Sequence, residues 1–323
     1  MSNYQAKAAR RLQLLREGKT KIVCRSIWLR ITRKCPLECR HCFAFGSPHG
    51  ESMSLDQVSQ TVEHLPAGVE TIGITGGEPF ATPKLLRKTL ECIQQRKFRS
   101  LSQTTVQTIG YWATDRQKTI DTLSELISLG VNSFYVYGND QWHWEQGLKP
   151  ESQALLVDVL KTEFNAIQPK LEGKLAEVES LFRRDRLTVS QRATGVVVAI
   201  GRAATETTRQ EQTVQGTESL CKCRDFLTLH RDGYIYTIDF NGDVHFCNFM
   251  SAPPLGNIFE RPLTEILRIA RRSELFRVTN GGNVVEFAER FCDGSKVLVE
   301  ESIQQYGRCK YHTELMKKYH IDY

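Results

Sequence analysis

Residues 32–47 read TRKCPLECRHCFAFGS and set Cys35, Cys39 and Cys42 at the spacing C-x3-C-x2-C. The chain opens MSNYQAKAARRLQLLREGKT, a polar and basic stretch without the apolar core of a signal peptide, which points to retention in the cytoplasm. No apolar run approaches the roughly 18 residues of a membrane span. In such a reducing compartment the chain's 10 cysteines are poor disulfide candidates, and clustered ones bind metal or do chemistry. Four thiolates would close a zinc or iron–sulfur site, whereas three leave one position without a protein ligand. A structural zinc completed by a distant Cys or His stands beside an open cluster as the alternative.

Working outward, the cysteine loop follows a strand signal, SIWLRIT (26–32). Helical and strand patterns then alternate. Ser54 with Gln57 opens a capping-box helix over 54–65. TIGIT (71–75) is a strand, and a helix runs from about Thr82 to Gln95. LSQTTVQT (101–108) is a strand, and Thr114 with Gln117 opens a helix to Leu129. VNSFYVY (131–137) precedes a helix after Pro150, and RLTVS (186–190) and GVVVAI (195–200) complete the strands. The charged segment 165–185 fits an outer helix without chemistry. Such βα alternation predicts an α/β fold with parallel strands, about six of them curled into a partial barrel whose active face lies at the strand C-termini.

Beyond Arg202 the alternation stops. YIYTIDF-NG-DVHFCNF (234–249) reads as a hairpin turned on Asn241-Gly242. PLTEILRIARR (262–272) is a helix started by Pro262. A polar stretch at 204–218 marks a soft boundary, giving 1–25 as a basic extension, 26–204 as the barrel and 205–323 as a smaller hairpin-plus-helices domain. Lys+Arg 43 against Asp+Glu 37 leaves a net charge of +6, scattered and without interleaved aromatics. That pattern fits a solvated surface, with at most a bias toward an anionic substrate, and does not predict a nucleic-acid polymer as partner.

The motif C-R-H-C-F at 39–43, completing C-x3-C-x2-C, resembles the radical S-adenosylmethionine (SAM) enzymes. In that family three thiolates hold a 4Fe–4S cluster, SAM chelates the unique iron, and one electron cleaves SAM to methionine and a 5′-deoxyadenosyl radical. The resemblance implies that Cys35, Cys39 and Cys42 bind the cluster, with His41 and Phe43 beside the cofactors. Gly76-Gly77-Glu78-Pro79 matches the family's GGEP motif at the SAM amino group: the glycines allow close backbone approach, and Glu78 can accept from an ammonium. Further matches put Thr108 (where Ile109 replaces the usual asparagine), Asp140, His143 and Arg202 near SAM, Arg202 through a bidentate contact with its carboxylate. Gly138 stands where a SAM-facing serine is common.

The C-terminal third resembles the SPASM or twitch extension that holds an auxiliary 4Fe–4S cluster. The set implied is Cys223, Cys247 and Cys309, with His312 a fourth ligand in place of the expected C-x2-C. A cluster with an open iron site that binds substrate, or Cys292 completing the set, remains the alternative. Cys221 and Cys223, separated by a single residue, are not both expected on one iron; Cys221 is then a free thiol that donates a hydrogen atom or packs. Cys24 and Cys92 are expected to be small buried residues.

The expectation is thus an enzyme that abstracts a hydrogen atom from a natural-product precursor, a small molecule such as a nucleotide or aminosugar, with a flavodoxin- or ferredoxin-type electron donor. The few residues before the first strand tilt the choice away from a ribosomal peptide. A non-catalytic iron–sulfur or SAM-binding protein is the alternative from another class.

Overall fold

Strands form where apolar residues alternate with polar ones, and every alternation exposes the same division between a helix-covered face and a concave one. The protein, seen as a computed structural model, is described at residues 24–168, 186–192, 201–208, 210, 211, 234–245, 254–274 and 290. Its strands are β1 (Cys24–Arg30), β2 (Thr71–Thr75), β3 (Gln103–Thr108), β4 (Ser133–Tyr137), β5 (Thr188–Arg192), β6 (Tyr234–Ile238) and β7 (Val244–His245). Its helices are α1 (Leu55–His64), α2 (Pro83–Arg96), α3 (Arg116–Ser128), α4 (Gln141–Trp144), α5 (Pro150–Thr162), α6 (Ala203–Glu206) and α7 (Leu263–Ala270). The described strands make one unclosed sheet in the order β5-β4-β3-β2-β1-β6-β7, parallel throughout except for β7. This is the α/β partial barrel expected. The strand expected at 195–200 and most of the outer segment 165–185 lie outside the described residues.

Ile27, Leu29, Ile72, Ile74, Val106, Phe134, Val136 and Val189 are buried against the helices, where they meet Leu86, Leu90, Leu123, Leu156 and Leu160. Alternate residues on the opposite face are polar or aromatic. One row of the register runs Trp28–Gly73–Thr105–Ser133–Thr188; nearer the strand C-termini, Arg30 pairs with Thr75, and Tyr135 lies between Gln107 and Ser190. Gly73 is required by this face: a Cβ there would fall 2.4 Å from the Trp28 ring. Trp28 also lies 5.8 Å from Tyr135, and Tyr135 lies 6.4 Å from Tyr137.

Two local expectations need adjustment. Helix α3 is capped by Asp115, whose carboxylate accepts from Lys118 N at 2.8 Å, and not by Thr114. Thr114 N still bonds Trp112 O in the preceding turn, and a carboxylate is the better partner for a helix N-terminus. The capping box at Ser54 and Gln57 forms as expected. The C-terminal hairpin turns at Asn241-Gly242, with Gly242 at φ +87. Its first strand runs parallel to β1, Ile27 opposite Tyr236 and Leu29 opposite Ile238, so the hairpin extends the same sheet. Tyr236 and Ile238 continue the helix-side core, and α1 holds the following loop through Gln60 Nε2 to Phe259 O at 2.6 Å.

Candidate active site

The cysteine loop lies at the C-terminal end of β1. Cys35 and Cys39 are buried and Cys42 is half-buried, all three as free thiols. Cys35 and Cys39 pack with Leu37, Ile109 and Leu148, a small apolar cluster that also takes Cys42 and Tyr111. Burial, with a smaller contribution from the neighbouring Cys42, pushes the Cys35 and Cys39 thiols up to about 12. Thiols this resistant to ionisation stay neutral until a cation holds the thiolate form. Gly46 N donates to Cys42 Sγ at 3.4 Å, the kind of hydrogen bond that tunes a cluster thiolate. Among the described residues no three His, Cys, Asp or Glu side chains converge as they would around a single metal ion. The three thiols share one apolar cluster with Ile109 and Leu148, a lining that suits an iron–sulfur group.

The end of β2 is clamped onto the loop. Gly77 N donates to Thr32 O and Glu78 N to Lys34 O, both at 2.7 Å. A Cβ on Gly76 would fall 2.4 Å from Thr32 O, and one on Gly77 would fall 2.5 Å from Lys34 O. The close approach that demands glycine here is therefore to the backbone leading into the cysteine loop.

Glu78 is wholly buried. It caps the short 3-10 turn Pro79–Ala81, accepting from Phe80 N at 3.0 Å, and it also accepts from Thr108 Oγ1 at 2.9 Å and Ile109 N at 2.7 Å. Thr108 in turn accepts from Gly110 N and Trp112 Nε1. A carboxylate has about four lone-pair sites, so three donors leave about one for a ligand. Burial outweighs these hydrogen bonds and raises the Glu78 carboxyl to about 7 from the usual 4.5. An ammonium placed against it would favour the ionised form. Because the folded value lies above the unfolded one, its contribution to stability is present below about pH 4.5 and lost as pH rises through 7. Urea midpoints of the metal-free chain are expected to fall across that window, and to lose this slope in Glu78→Gln; an unchanged slope would refute the assignment.

The remaining sequence candidates surround the same loop. His143 Nδ1 lies 2.8 Å from Asp140 Oδ1, and Asp140 also caps α4. The His143 ring meets His41 edge-on at 4.8 Å, and Trp142 lies 5.4 Å from His41. Burial lowers His41 to about 4, so it is neutral at pH 7. Gly138, at φ +90, leaves room for the His143 ring, which a Cβ would meet at 2.9 Å. Phe43 lies under the Arg30 guanidinium at 5.4 Å. Arg202 donates from Nε to Cys39 O at 3.1 Å and from Nη2 to Gly46 O at 2.5 Å, while its N–H meets Cys42 O at 3.0 Å. Its fork grips the loop's carbonyls, where the sequence suggested a ligand carboxylate.

Cys221, Cys223, Cys247, Cys292, Cys309 and His312 lie outside the described residues. Cys24 and Cys92 are buried, as expected. Sequence reasoning missed Gln153, whose Nε2 donates to Ile109 O at 3.0 Å and to Tyr137 O and so ties the ends of β3 and β4 together. It also missed Arg30 and Asp239; an arginine inside the apolar alternation of SIWLRIT was the available signal.

Residues 29–138 match the Radical SAM superfamily and residues 230–293 match SPASM, an iron–sulfur cluster-binding domain. None of the curated proteins matches the chain. Among solved structures, BtrN in complex with AdoMet and 2-DOIA is similar over 81% of this chain and 89% of its own, at 14% identity and a TM-score of 0.49. anSMEcpe with bound AdoMet is similar over 91% and 98%, also at 14% identity and a TM-score of 0.49. SuiB from Streptococcus suis, bound to precursor peptide SuiA, is similar over 81% and 68%, at 14% identity and a TM-score of 0.42. Likeness at this level carries no activity or substrate across. No helix among the described residues is long and apolar enough to cross a membrane.

Proposed function

The chain belongs to the radical SAM superfamily and carries a SPASM iron–sulfur domain, and from that premise we propose that it abstracts a hydrogen atom from a small polar molecule. A protein of this kind takes a 4Fe–4S cluster on three cysteines, SAM, and an auxiliary iron–sulfur cluster. When bound, the cluster and SAM supply a 5′-deoxyadenosyl radical at the cost of one electron. The protein's part is to hold, orient and dry the reactants.

Cys35, Cys39 and Cys42 would hold the cluster, the Ile109/Leu148 collar would exclude water, and Glu78 would take the SAM ammonium with its remaining lone pair. We assign Cys223, Cys247, Cys309 and His312 to the auxiliary cluster, residues 205–323 to its domain and 26–204 to the barrel, with Cys221 a candidate hydrogen donor. The observation that carries the substrate class is the concave face beneath the loop. Trp28, Thr75, Gln107, Tyr135 and Tyr137 are half-buried there, offering aromatic surface and neutral hydrogen-bonding groups suited to a compact polar ring. An electron donor of flavodoxin or ferredoxin type would meet the loop's exposed side at Lys34 and Phe45, and the protein would work in the cytoplasm.

The test is anaerobic reconstitution with iron and sulfide, then dithionite and SAM. The expected product is 5′-deoxyadenosine, formed faster when a small-molecule ultrafiltrate is added than when a peptide fraction is. Bound iron and bound SAM without 5′-deoxyadenosine would overturn the enzyme; acceleration by peptides alone would overturn the substrate class.

A further inference from the structure

Two arginines and one aspartate are gathered where β1 and β6 end. Arg30, the last residue of β1, is 3% exposed, and its Nη1 lies 3.5 Å from Asp239 Oδ1. Asp239 follows β6 and is itself buried; its Oδ2 lies 3.7 Å from Arg33 Nη2. Arg33 covers the Phe240 ring at 4.4 Å, and Arg30 covers Phe43, the residue after Cys42, at 5.4 Å. The formal sum of the three charges is +1.

Burying such a group is not the cheap way to stabilise a sheet edge. Desolvation of a buried ion pair commonly cancels its attraction, and well-packed apolar residues do as well or better. Burial accordingly lowers the Arg30 pKa, with Asp239 opposing that shift, and the Arg30 guanidinium over the Phe43 ring stands against the residue next to Cys42. A fixed positive charge in a poorly hydrated site acts strongly on any change of charge beside it.

We propose that Arg30 is a positioning residue that fixes a positive charge beside Cys42 and raises the reduction potential of the cluster held there, and that Asp239 partly offsets it. This rests on the cluster assignment above. Asp239 lies within residues 230–293, so the SPASM domain supplies the counter-charge and takes part in setting the potential of the first site. Reduction transfers one electron from the donor, with no proton, and leaves the group on the three thiolates one unit more negative. Arg30 favours that state and Asp239 opposes it.

The two ends of one ion pair should therefore move the potential in opposite directions, which a merely structural role would not do. The measurement is an EPR-monitored dithionite titration of reconstituted full-length protein, following the signal that changes when SAM is added. Arg30→Met is expected to lower the midpoint by about 59 mV, a tenfold fall in the reduced-to-oxidised ratio. Asp239→Asn is expected to raise it by a similar amount, and Arg30→Lys to leave it near wild type. Shifts of the same sign in the Met and Asn variants, or none in either, overturn the proposal. Should Arg30→Met fail to retain iron, Asp239→Asn decides, and an unmoved midpoint there overturns it too. A wild type with no SAM-responsive signal overturns the cluster assignment, and this inference with it; a wild-type signal whose midpoint ignores both variants overturns this inference alone.

Discussion

Replacing Gly77 with alanine is expected to destabilise the protein by about 3 kcal/mol, the upper end of ordinary overpacking, and to strip most of the iron that the cysteine loop retains. The new methyl carbon would lie 2.5 Å from Lys34 O, 2.6 Å from Arg33 O and 2.8 Å from Lys34 C. All three are backbone atoms of the segment leading into Cys35, so no side-chain rotation relieves the clash. Relief requires separating β2 from residues 32–34, which breaks the bonds from Gly77 N to Thr32 O and from Glu78 N to Lys34 O. Gly68→Ala is the control, because a Cβ there meets nothing within 4 Å, and its effect should stay within about 0.5 kcal/mol. Urea unfolding and iron content after reconstitution measure both effects. A Gly77→Ala protein with wild-type midpoint and wild-type iron would show that the loop tolerates displacement from β2.

Why the sequence foretold the scaffold better than the contacts follows from what each depends on. Strand and helix signals are local: the alternation in SIWLRIT, the Ser54/Gln57 box and the Asn241-Gly242 turn each act over a few neighbours, and each appears where expected. The cysteine spacing is local too, so the loop stood out as a candidate cluster site from its own residues. The partners of Glu78 and Arg202 are long-range. Glu78 meets Thr108 at the end of the neighbouring strand, 30 residues away, and Arg202 meets Cys39 and Gly46 across more than 150 residues. Motif matching locates such residues near the site without revealing which backbone or ligand they touch. The parallel pairing of β6 with β1 was likewise hidden, because a hairpin signal fixes the turn and says nothing about which edge the first strand joins.

Arg202 offers the sharpest separation between the motif's suggestion and the observed contacts. Its guanidinium spans Cys39 O and Gly46 O, and its backbone N–H reaches Cys42 O, so one residue fastens three points of the loop. Glu38, 3.9 Å from Nη1 and largely exposed, adds little. Groups that orient metal ligands without touching the metal typically cost about 10–100-fold in affinity when removed. Arg202→Ala is expected to lose iron to a chelator faster by that factor. Arg202→Lys should not restore retention, since a single ammonium on a flexible stem cannot reproduce the planar fork across two separated carbonyls. A residue that served mainly to grip the SAM carboxylate would behave differently. Its alanine variant would keep iron at the wild-type rate and raise the SAM concentration needed for half-maximal 5′-deoxyadenosine formation, and lysine would recover part of that loss. Iron release and SAM dependence measured on the same three proteins therefore assign Arg202 to the loop or to the ligand.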